Sequence, residues 1–376
     1  MRVAFLAQEC SPGYAGGGIG TYTASLAEGL AGLGVDLTVV GRHDGPRTEA
    51  RGPGGYAIVY APRTHLPHRL RSRAPMLADR VEAVLEARRA LRGLGTFDVV
   101  EGPDWLAEGL LTPGKALRAR HVHGANRTLR EWAGRTPSRS ERLADAVESW
   151  DLRHADVVTV ASRLSATLPD GTSVAPHARL VPMPVRLDGW LGGAAGDAPR
   201  VVTLVGRVEP RKGGDVLVRA AARLGDVTVR LVGADAPGAD GRSFLDALRA
   251  LATSVGVALD VTGPRPPADL PALLASSRVV AVPSRYEPFS MVALEALAAS
   301  RPAVLSDACG AAEVLDVPTF PAGDDAALAE ALRPLLEDPA HATALGDAGR
   351  ARVETHHSVA AAARAKLDAW EAAPSR

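Results

Sequence analysis

VVTLVGRVEPRKGGDVLVRAAARLG, residues 201–225, decides the fold: a continuous apolar strand runs into a glycine turn, and the turn opens a helix. An equivalent unit opens the chain, where RVAFLAQ (2–8) leads through GGGIG (16–20) to TASLAEGLAGLG (23–34). Further strand-like runs follow each. The first half offers Val3–Ala7, Val35–Val40, Ala57–Tyr60, Asp98–Val100, Ala119–His123 and Asp156–Val160; the second offers Val201–Val205, Val227–Val232, Leu259–Thr262, Val279–Val282 and Pro302–Leu305. Near-continuous apolar strands separated by helical stretches of about ten to fifteen residues are what parallel sheets covered on both faces require. Two such series predict an α/β chain of two doubly wound, Rossmann-like domains. The break falls at 186–200, RLDGWLGGAAGDAPR, where Gly, Ala and Pro cluster without a period. Domains of 1–190 and 199–357 follow. Ligands of such sheets sit beyond the carboxyl ends of the strands, so two facing domains would put one glycine turn on each wall of a central cleft.

Length and composition agree. At roughly 150 residues per domain, 376 residues imply two domains or three, and 46% apolar residues suffice to fill both cores. Forty-three basic and 43 acidic residues cancel, leaving no global charge to seek nucleic acid or an anionic membrane. Only Lys115, Lys212 and Lys366 among the basic residues are lysine; the rest are arginine. Each lysine is thereby a candidate for a place needing a compact ammonium, against drift in an arginine-rich composition. Cys10 and Cys309 form neither a disulfide framework nor a metal cluster unaided. No signal-peptide core or membrane span is legible, and the chain reads as cytoplasmic.

Three motifs carry chemistry. GGGIG precedes a helix start, where backbone N–H groups favour an anion, but it fails the dinucleotide fingerprint because position 21 is Thr21, and it lacks the Walker Lys-Ser/Thr. A plain tight turn competes with the ligand reading. In Gly206-Arg207-Val208-Glu209-Pro210-Arg211-Lys212-Gly213, Arg207 and Lys212 are expected to converge on one oxyanion, a fork and a point charge. A solvated loop is the competing reading. YEPFSMVALEALA (286–298) places Glu287 in a turn and Glu295 inside an apolar helix, where a carboxylate needs exposure or a partner. The N–H groups of Ser290, Met291 and Val292 lie in the first turn, open to phosphate.

These segments together resemble the retaining glycosyltransferases of family 4, with the GT-B fold and nucleotide-sugar donors. The resemblance rests on GRVEPRKGG and YEPFSMVALEALA, with GGGIGTYTASLAEGLAGLGVDLTVV (16–40), FDVVEGPDWLAEGLL (97–111) and RHVHGANR (120–127), in order from residue 1 to about 315. It implies that Arg207 and Lys212 hold the donor diphosphate as it departs and that Glu287 contacts the donor sugar. Gly206, Arg265, Phe289, Ser290, Met291 and Val292 join the donor set, and Glu295 takes the ribose hydroxyls. Gly17, Gly18 and Gly20 shape the loop at the reacting centre. His123 matches the histidine beside the reacting sugar, with His121 as the rival assignment. The terminal segment 358–376 is implied to return to the first domain, with Val359, Ala363, Leu367 and Trp370 at helical spacing and Lys366 solvated. Two positions depart from the family pattern: Ser290 stands where many relatives have glycine, and Glu101 where many have histidine.

The implied chemistry is sugar transfer with retention, driven by a diphosphate leaving group stabilised by fixed cations and helix ends. No D-x-D pair is present, so neither metal nor other cofactor is expected beyond the donor. The implied partners are a small-molecule donor and acceptor, with no nucleic acid. The acceptor set is placed in the first domain at Gly20, Glu101, Asp104 and Asn126, with Glu9 near them, suited to a polyhydroxylated or amine-bearing acceptor such as an aminocyclitol. Residues 61–92 hold eight arginines against Asp79, Glu82 and Glu86, which keeps open a membrane-surface enzyme using 63–92 on a phosphoinositide or lipid-linked glycan. A solvated helix face with internal pairs explains them equally. A nucleotide-sugar epimerase, an NAD-type oxidoreductase and a sugar-binding protein are the readings from other classes.

Overall fold

The computed structural model describes residues 1–7, 18–124, 126–236 and 241–373. The chain divides into two compact units, Met1–Arg186 joined by His357–Arg376, and Leu187–His356. Gly17, Glu9 and Cys10 lie outside the described residues.

The first unit runs β1 (Arg2–Leu6), α1 (Gly18–Gly32), β2 (Asp36–His43), β3 (Thr48–Arg51), β4 (Ala57–Pro62), α2 (His68–Arg73), α3 (Pro75–Leu94), β5 (Val99–Pro103), β6 (Leu117–Val122), α4 (Asn126–Trp132), α5 (Arg139–Arg153), β7 (Val157–Val160) and β8 (Arg179–Leu180). Its sheet has the order β3-β4-β2-β1-β5-β6-β7-β8. The second runs β9 (Val201–Val205), α6 (Gly214–Ala222), β10 (Thr228–Val232), α7 (Phe244–Val255), β11 (Ala258–Gly263), α8 (Leu270–Ala275), β12 (Val279–Val282), α9 (Met291–Ala298), β13 (Ala303–Ser306), β14 (Thr319–Phe320), α10 (Asp325–Glu337) and α11 (Pro339–His356), with sheet order β11-β10-β9-β12-β13-β14. Strand pairs are parallel throughout except at the edge, where β3 runs antiparallel to β4. All four residues of β3, TEAR, are exposed, so no apolar alternation announced it. Such a charged edge suits a strand that must not recruit another.

In each unit the first strand is central, with the second strand on one side and a strand reached by crossover on the other. The order therefore reverses between β1 and β5, and between β9 and β12, and the crevices at those points are where doubly wound sheets bind ligands. β1 and β9 are buried almost end to end, as two-sided coverage demands.

The last helix, α12 (Val359–Glu371), packs on α1 in the first unit. Gly29 makes this approach possible: a Cβ there would lie 2.6 Å from the Val359 carbonyl oxygen and 2.8 Å from the Ala363 Cβ. The chain enters the helix through Val185, whose N–H donates to the His357 carbonyl at 2.8 Å. Leu367 and Trp370 are buried, each such side chain contributing about 1.5–3 kcal/mol relative to exposure. Lys366 corrects the sequence reading. It is not solvated but 0% exposed, because its place between Ala363 and Trp370 puts it on the packed face of α12.

Part of the arginine-rich segment is engaged within its own unit, while Arg69, Arg73 and Arg92 are exposed. Arg71 meets Asp79 at 2.8 Å and Glu82 at 2.6 Å, Arg89 donates to Thr64 at 2.7 Å, and buried Arg80 pairs with Glu148 at 2.7 Å. Among the described residues no helix is long and apolar enough to cross a membrane.

Candidate functional site

In the second unit the loops after β9 and β12 are neighbours at the switch point, and the sequence builds each for close approach. After β9, Gly206 takes φ 143° and Gly213 takes φ 70°. A Cβ on Gly213 would lie 1.9 Å from the Pro283 carbonyl oxygen, so only glycine lets this turn lie against the end of β12. Between them, Pro210–Lys212 form one 3-10 turn, and the Lys212 chain folds back so that its Cε would lie 3.4 Å from a Cβ on Gly206. After β12, the Glu287 N–H donates to the Ala308 carbonyl at 2.9 Å and Gly310 N–H to the Glu287 carbonyl at 2.9 Å, which pins this turn to the segment following β13.

The pinned turn delivers Glu287 to two cations. Lys212 Nζ donates to Glu287 Oε2, and Arg211 Nη1 lies 3.3 Å from the same oxygen. Burial pushes the Glu287 carboxyl up, but the Lys212 ammonium and Arg211 guanidinium outweigh it and hold the group below the ordinary carboxylate value. Arg211 is locked further by the Tyr286 carbonyl at 2.9 Å and by Glu209 Oε1 at 2.7 Å. Arg207 also reaches Glu209, at 3.4 Å, and its side chain is 65% exposed. Arg207 and Lys212, expected to converge on one oxyanion, stand at the two ends of a chain of charges, Arg207, Glu209, Arg211, Glu287, Lys212, carrying three cations against two carboxylates.

The start of α9 borders this cluster. Ser290 holds φ 103°, a backbone region that favours glycine, and its Oγ accepts from Ala293 N–H at 3.3 Å. The departure from the family glycine therefore keeps the glycine backbone and adds a helix cap. A helix start leaves Met291 and Val292 N–H groups without intrahelical partners, and Phe289 is buried beneath the turn. Cys309 is buried there too, donating to the Phe289 carbonyl at 2.9 Å, with burial, then Glu287, pushing its thiol up and leaving it inert. Glu295 lies half-buried on α9, its carboxyl raised to about 7 by burial. Arg265 is exposed on the loop after β11, at the same carboxyl end of the sheet.

In the first unit a second cluster occupies the switch point between β1 and β5. Lys366 Nζ donates to Glu101 Oε2 at 3.1 Å and Thr159 Oγ1 at 2.7 Å, and lies 3.3 Å from His121 Nδ1. Trp370 Nε1 donates to Glu101 Oε2 at 3.2 Å, and Tyr22 Oη to Glu101 Oε1 at 3.4 Å. Tyr22 stacks on His121 at 4.5 Å and meets His123 edge-on at 4.8 Å. Burial, with Lys366, depresses both imidazoles and keeps them neutral. His123 N–H donates to Asp104 Oδ1 at 3.1 Å, and burial raises the Asp104 carboxyl to about 7. Glu101 and Asp104, expected to face an acceptor, are 4% and 2% exposed and engaged inside the unit. Gly18 and Gly20 begin α1, and Asn126 begins α4.

Sequence reasoning missed Arg211, Glu209, Tyr22 and Lys366. Arg211 and Glu209 sat inside the quoted motif without a role, and Lys366 carried a legible signal, since the spacing Val359, Ala363, Lys366, Trp370 traces one helical face.

Comparison with known proteins fits both units. A family model described as "Glycosyl transferase 4-like domain" matches residues 17–186, and one described as "Glycosyl transferases group 1" matches 193–352. The chain is 32% identical over 351 residues to D-inositol 3-phosphate glycosyltransferase of Acidothermus cellulolyticus, covering 81% of this chain and 74% of that protein. The protein of the same name from Rhodococcus jostii is 41% identical over 116 residues, 29% of this chain and 26% of that one. Sucrose-phosphate synthase from Thermosynechococcus elongatus shares the fold at a TM-score of 0.76 and 24% identity, covering 98% of each chain. HepE from Anabaena, in complex with UDP and glucose, does so at 0.71 and 18%, covering 99% of each. With a family model matched on each unit and a relative this similar over most of its length, the chain belongs to the GT-B glycosyltransferases of the family 4 type and is a sugar-transferring enzyme.

Proposed function

We propose that the enzyme moves a sugar, with retention, from a nucleoside-diphosphate sugar to a hydroxyl of a small polyol, a cyclitol or its phosphate. The observation that carries the donor half is the chain of charges from Arg207 to Lys212, set at the carboxyl ends of β9 and β12 beside the start of α9. As the bond to the sugar breaks, negative charge grows on the diphosphate; Lys212 and Arg207 neutralise it, and the N–H groups of Met291 and Val292 add donors that need no reorganisation. Lys212 leaves Glu287 as it takes the diphosphate, which frees the Glu287 carboxylate for a sugar hydroxyl. Glu295 receives the ribose hydroxyls. His123, which matches the histidine beside the reacting sugar, is kept neutral by burial and so is able to accept a proton or a hydrogen bond. The acceptor hydroxyl gives its proton to a departing phosphate oxygen on the same face. Fixed cations do what a divalent metal does in other transferases, so EDTA leaves the rate unchanged.

The acceptor class follows the relatives, whose names specify D-inositol 3-phosphate, and the donor class follows HepE, which holds UDP and glucose. A membrane-surface acceptor is less well supported, because Arg71, Arg80 and Arg89 of the basic segment are engaged internally. A thermal-shift screen of UDP-, GDP- and dTDP-sugars tests the donor, since a ligand that binds only the folded state raises its melting point. The donor found is then incubated with inositol and inositol phosphate, and the anomeric configuration of the product is read by NMR. Turnover without an acceptor to a single epimerised sugar nucleotide, or an inverted product, rejects the reading.

A further inference from the structure

A small cavity opens at the carboxyl end of the first unit's sheet, bordered by Tyr22, Glu101, His121 and His123, with a volume of about 20 Å³. That exceeds the roughly 10–15 Å³ one water needs and is far too small for a sugar ring. It has room for a single hydroxyl. Among the described residues of its wall one group is unsatisfied: His121, 1% exposed, has Nε2 buried without a hydrogen-bond partner. A buried donor or acceptor left without a partner is unfavourable, so such an atom points to something that completes it.

Which role Nε2 plays is set from the other side of the ring. The Lys366 ammonium lies 3.3 Å from Nδ1, and Thr159 Oγ1, which accepts from Lys366 at 2.7 Å, lies 2.9 Å from it. An N–H at Nδ1 would point at a cation; a lone pair there is attracted to it. Thr159 Oγ1 also donates to the Arg120 carbonyl at a long 3.2 Å and is able to turn that proton to Nδ1, so beside the ammonium the one proton of the neutral ring is placed on Nε2. On the same cavity wall Glu101 keeps acceptor capacity, because Oε1 meets only the Tyr22 hydroxyl at a long 3.4 Å while Oε2 serves Lys366 and Trp370. The cavity thus offers one donor and one acceptor, the pair a hydroxyl group matches.

We propose that this cavity is a one-hydroxyl subsite for a polyhydroxylated ligand, in which His121 Nε2–H donates to the hydroxyl oxygen and Glu101 accepts its proton, and that Lys366, carried in on α12, is the positioning residue that fixes the His121 tautomer. This rests on the reading that the substrates are sugars and polyols, and it adds a group other than His123 that grips them. Substrates deoxygenated at the gripped position leave His121 and Glu101 unpaired and are rejected.

The test uses the full chain with 15N-labelled histidine. Long-range 1H–15N spectra distinguish protonated from unprotonated ring nitrogens, and His121→Gln assigns the residue by loss of its signals. The expected result is a single tautomer with the proton on Nε2, and a saturable shift of that nitrogen on titration with myo-inositol. In His121→Gln the apparent Kd for myo-inositol, followed by calorimetry, rises at least ~10-fold. The paired variant Lys366→Met with Glu101→Gln removes both buried charges together and so avoids stranding one; in it His121 loses its single tautomer. A proton on Nδ1 in the wild type overturns the proposal, as does an Nε2 signal indifferent to myo-inositol, which would mean the cavity holds water only. A single Nε2–H tautomer surviving in the paired variant overturns the role of Lys366. None of these readouts needs donor or turnover, so a failed sugar transfer would reject the function proposed above while leaving these results to be judged by themselves.

Discussion

Lys212 with Glu287 and Lys366 with Glu101 are the same pair of groups in two settings. At the end of β9 the lysine and glutamate side chains are 19% and 14% exposed and sit in turns. On α12 and β5 they are 0% and 5% exposed, and the lysine also meets Thr159 and His121. The first pair is mostly buried but reaches solvent, and Arg211 stays on Glu287 if Lys212 leaves, so an exchange of partners there does not strand the carboxylate. The second pair has no solvent to fall back on, and breaking it strands a buried charge. In the proposed reaction the first pair is traded, and in the proposed subsite the second holds a ring in place.

The contrast breaks most easily at Lys366. Lys366→Ala is expected to cost about 3–5 kcal/mol in urea unfolding, the penalty for an uncompensated buried carboxylate, where a solvated lysine would cost under about 0.5 kcal/mol. Lys212→Ala should do the reverse. Stability falls by less than in Lys366→Ala, because Arg211 still pairs with Glu287, while transfer falls at least ~100-fold, about 2.7 kcal/mol of lost leaving-group stabilisation, and Arg207→Ala lowers transfer likewise.

Glu295 sharpens the comparison at intermediate size. Its carboxyl is raised from an ordinary 4.5 to about 7 by burial, so between those values the folded state binds the extra proton. Its contribution to stability therefore falls as pH rises from 4.5 through 7, and the penalty is complete above 7. Glu295→Gln should raise stability at pH 8 by on the order of 1–2 kcal/mol, discounted for partial exposure, and change little at pH 4.5. The same variant should weaken the donor, whose ribose hydroxyls then lose an ionised acceptor, a stabilising change that costs function. Unchanged donor KM would remove Glu295 from the site. Ser290 gives the smallest effect. Ser290→Ala loses the cap to Ala293 and keeps the positive φ, costing about 1 kcal/mol; Ser290→Gly loses the cap but relieves the strain and is expected to be nearly neutral. Equal melting points for the two variants would contradict the strained cap.

The difference between the two pairs also marks how far the sequence could be read. The alternation of apolar runs and glycine turns was sufficient for two parallel sheets, because strands buried on both faces leave no other pattern. The edge strand TEAR escaped because exposed edges carry no periodicity. In the second unit the chemistry lies in two short continuous motifs, so Lys212 and Glu287 were visible as candidates; their mutual pairing was not, since it depends on which strands meet at the switch point. In the first unit the network joins Tyr22, Glu101, His121, Thr159 and Lys366, separated by up to 344 positions; adjacent strands β5, β6 and β7 bring Glu101, His121 and Thr159 together, and the packing of α12 on α1 adds Lys366 beside Tyr22. Glu101 is legible as a carboxylate at a strand end; its partner Lys366, from the far end of the chain, is not.

The central claim, that Lys212 is traded from Glu287 to a diphosphate, is tested most directly by calorimetry with whichever of UDP, GDP or dTDP raises the wild-type melting point most. The account predicts that Lys212→Ala weakens this nucleotide at least ~10-fold and that Glu287→Gln, which removes the competitor for Lys212, binds it as tightly as the wild type or tighter while losing sugar transfer. Wild-type affinity in Lys212→Ala, or weakened affinity in Glu287→Gln equal to that of Lys212→Ala, would contradict it.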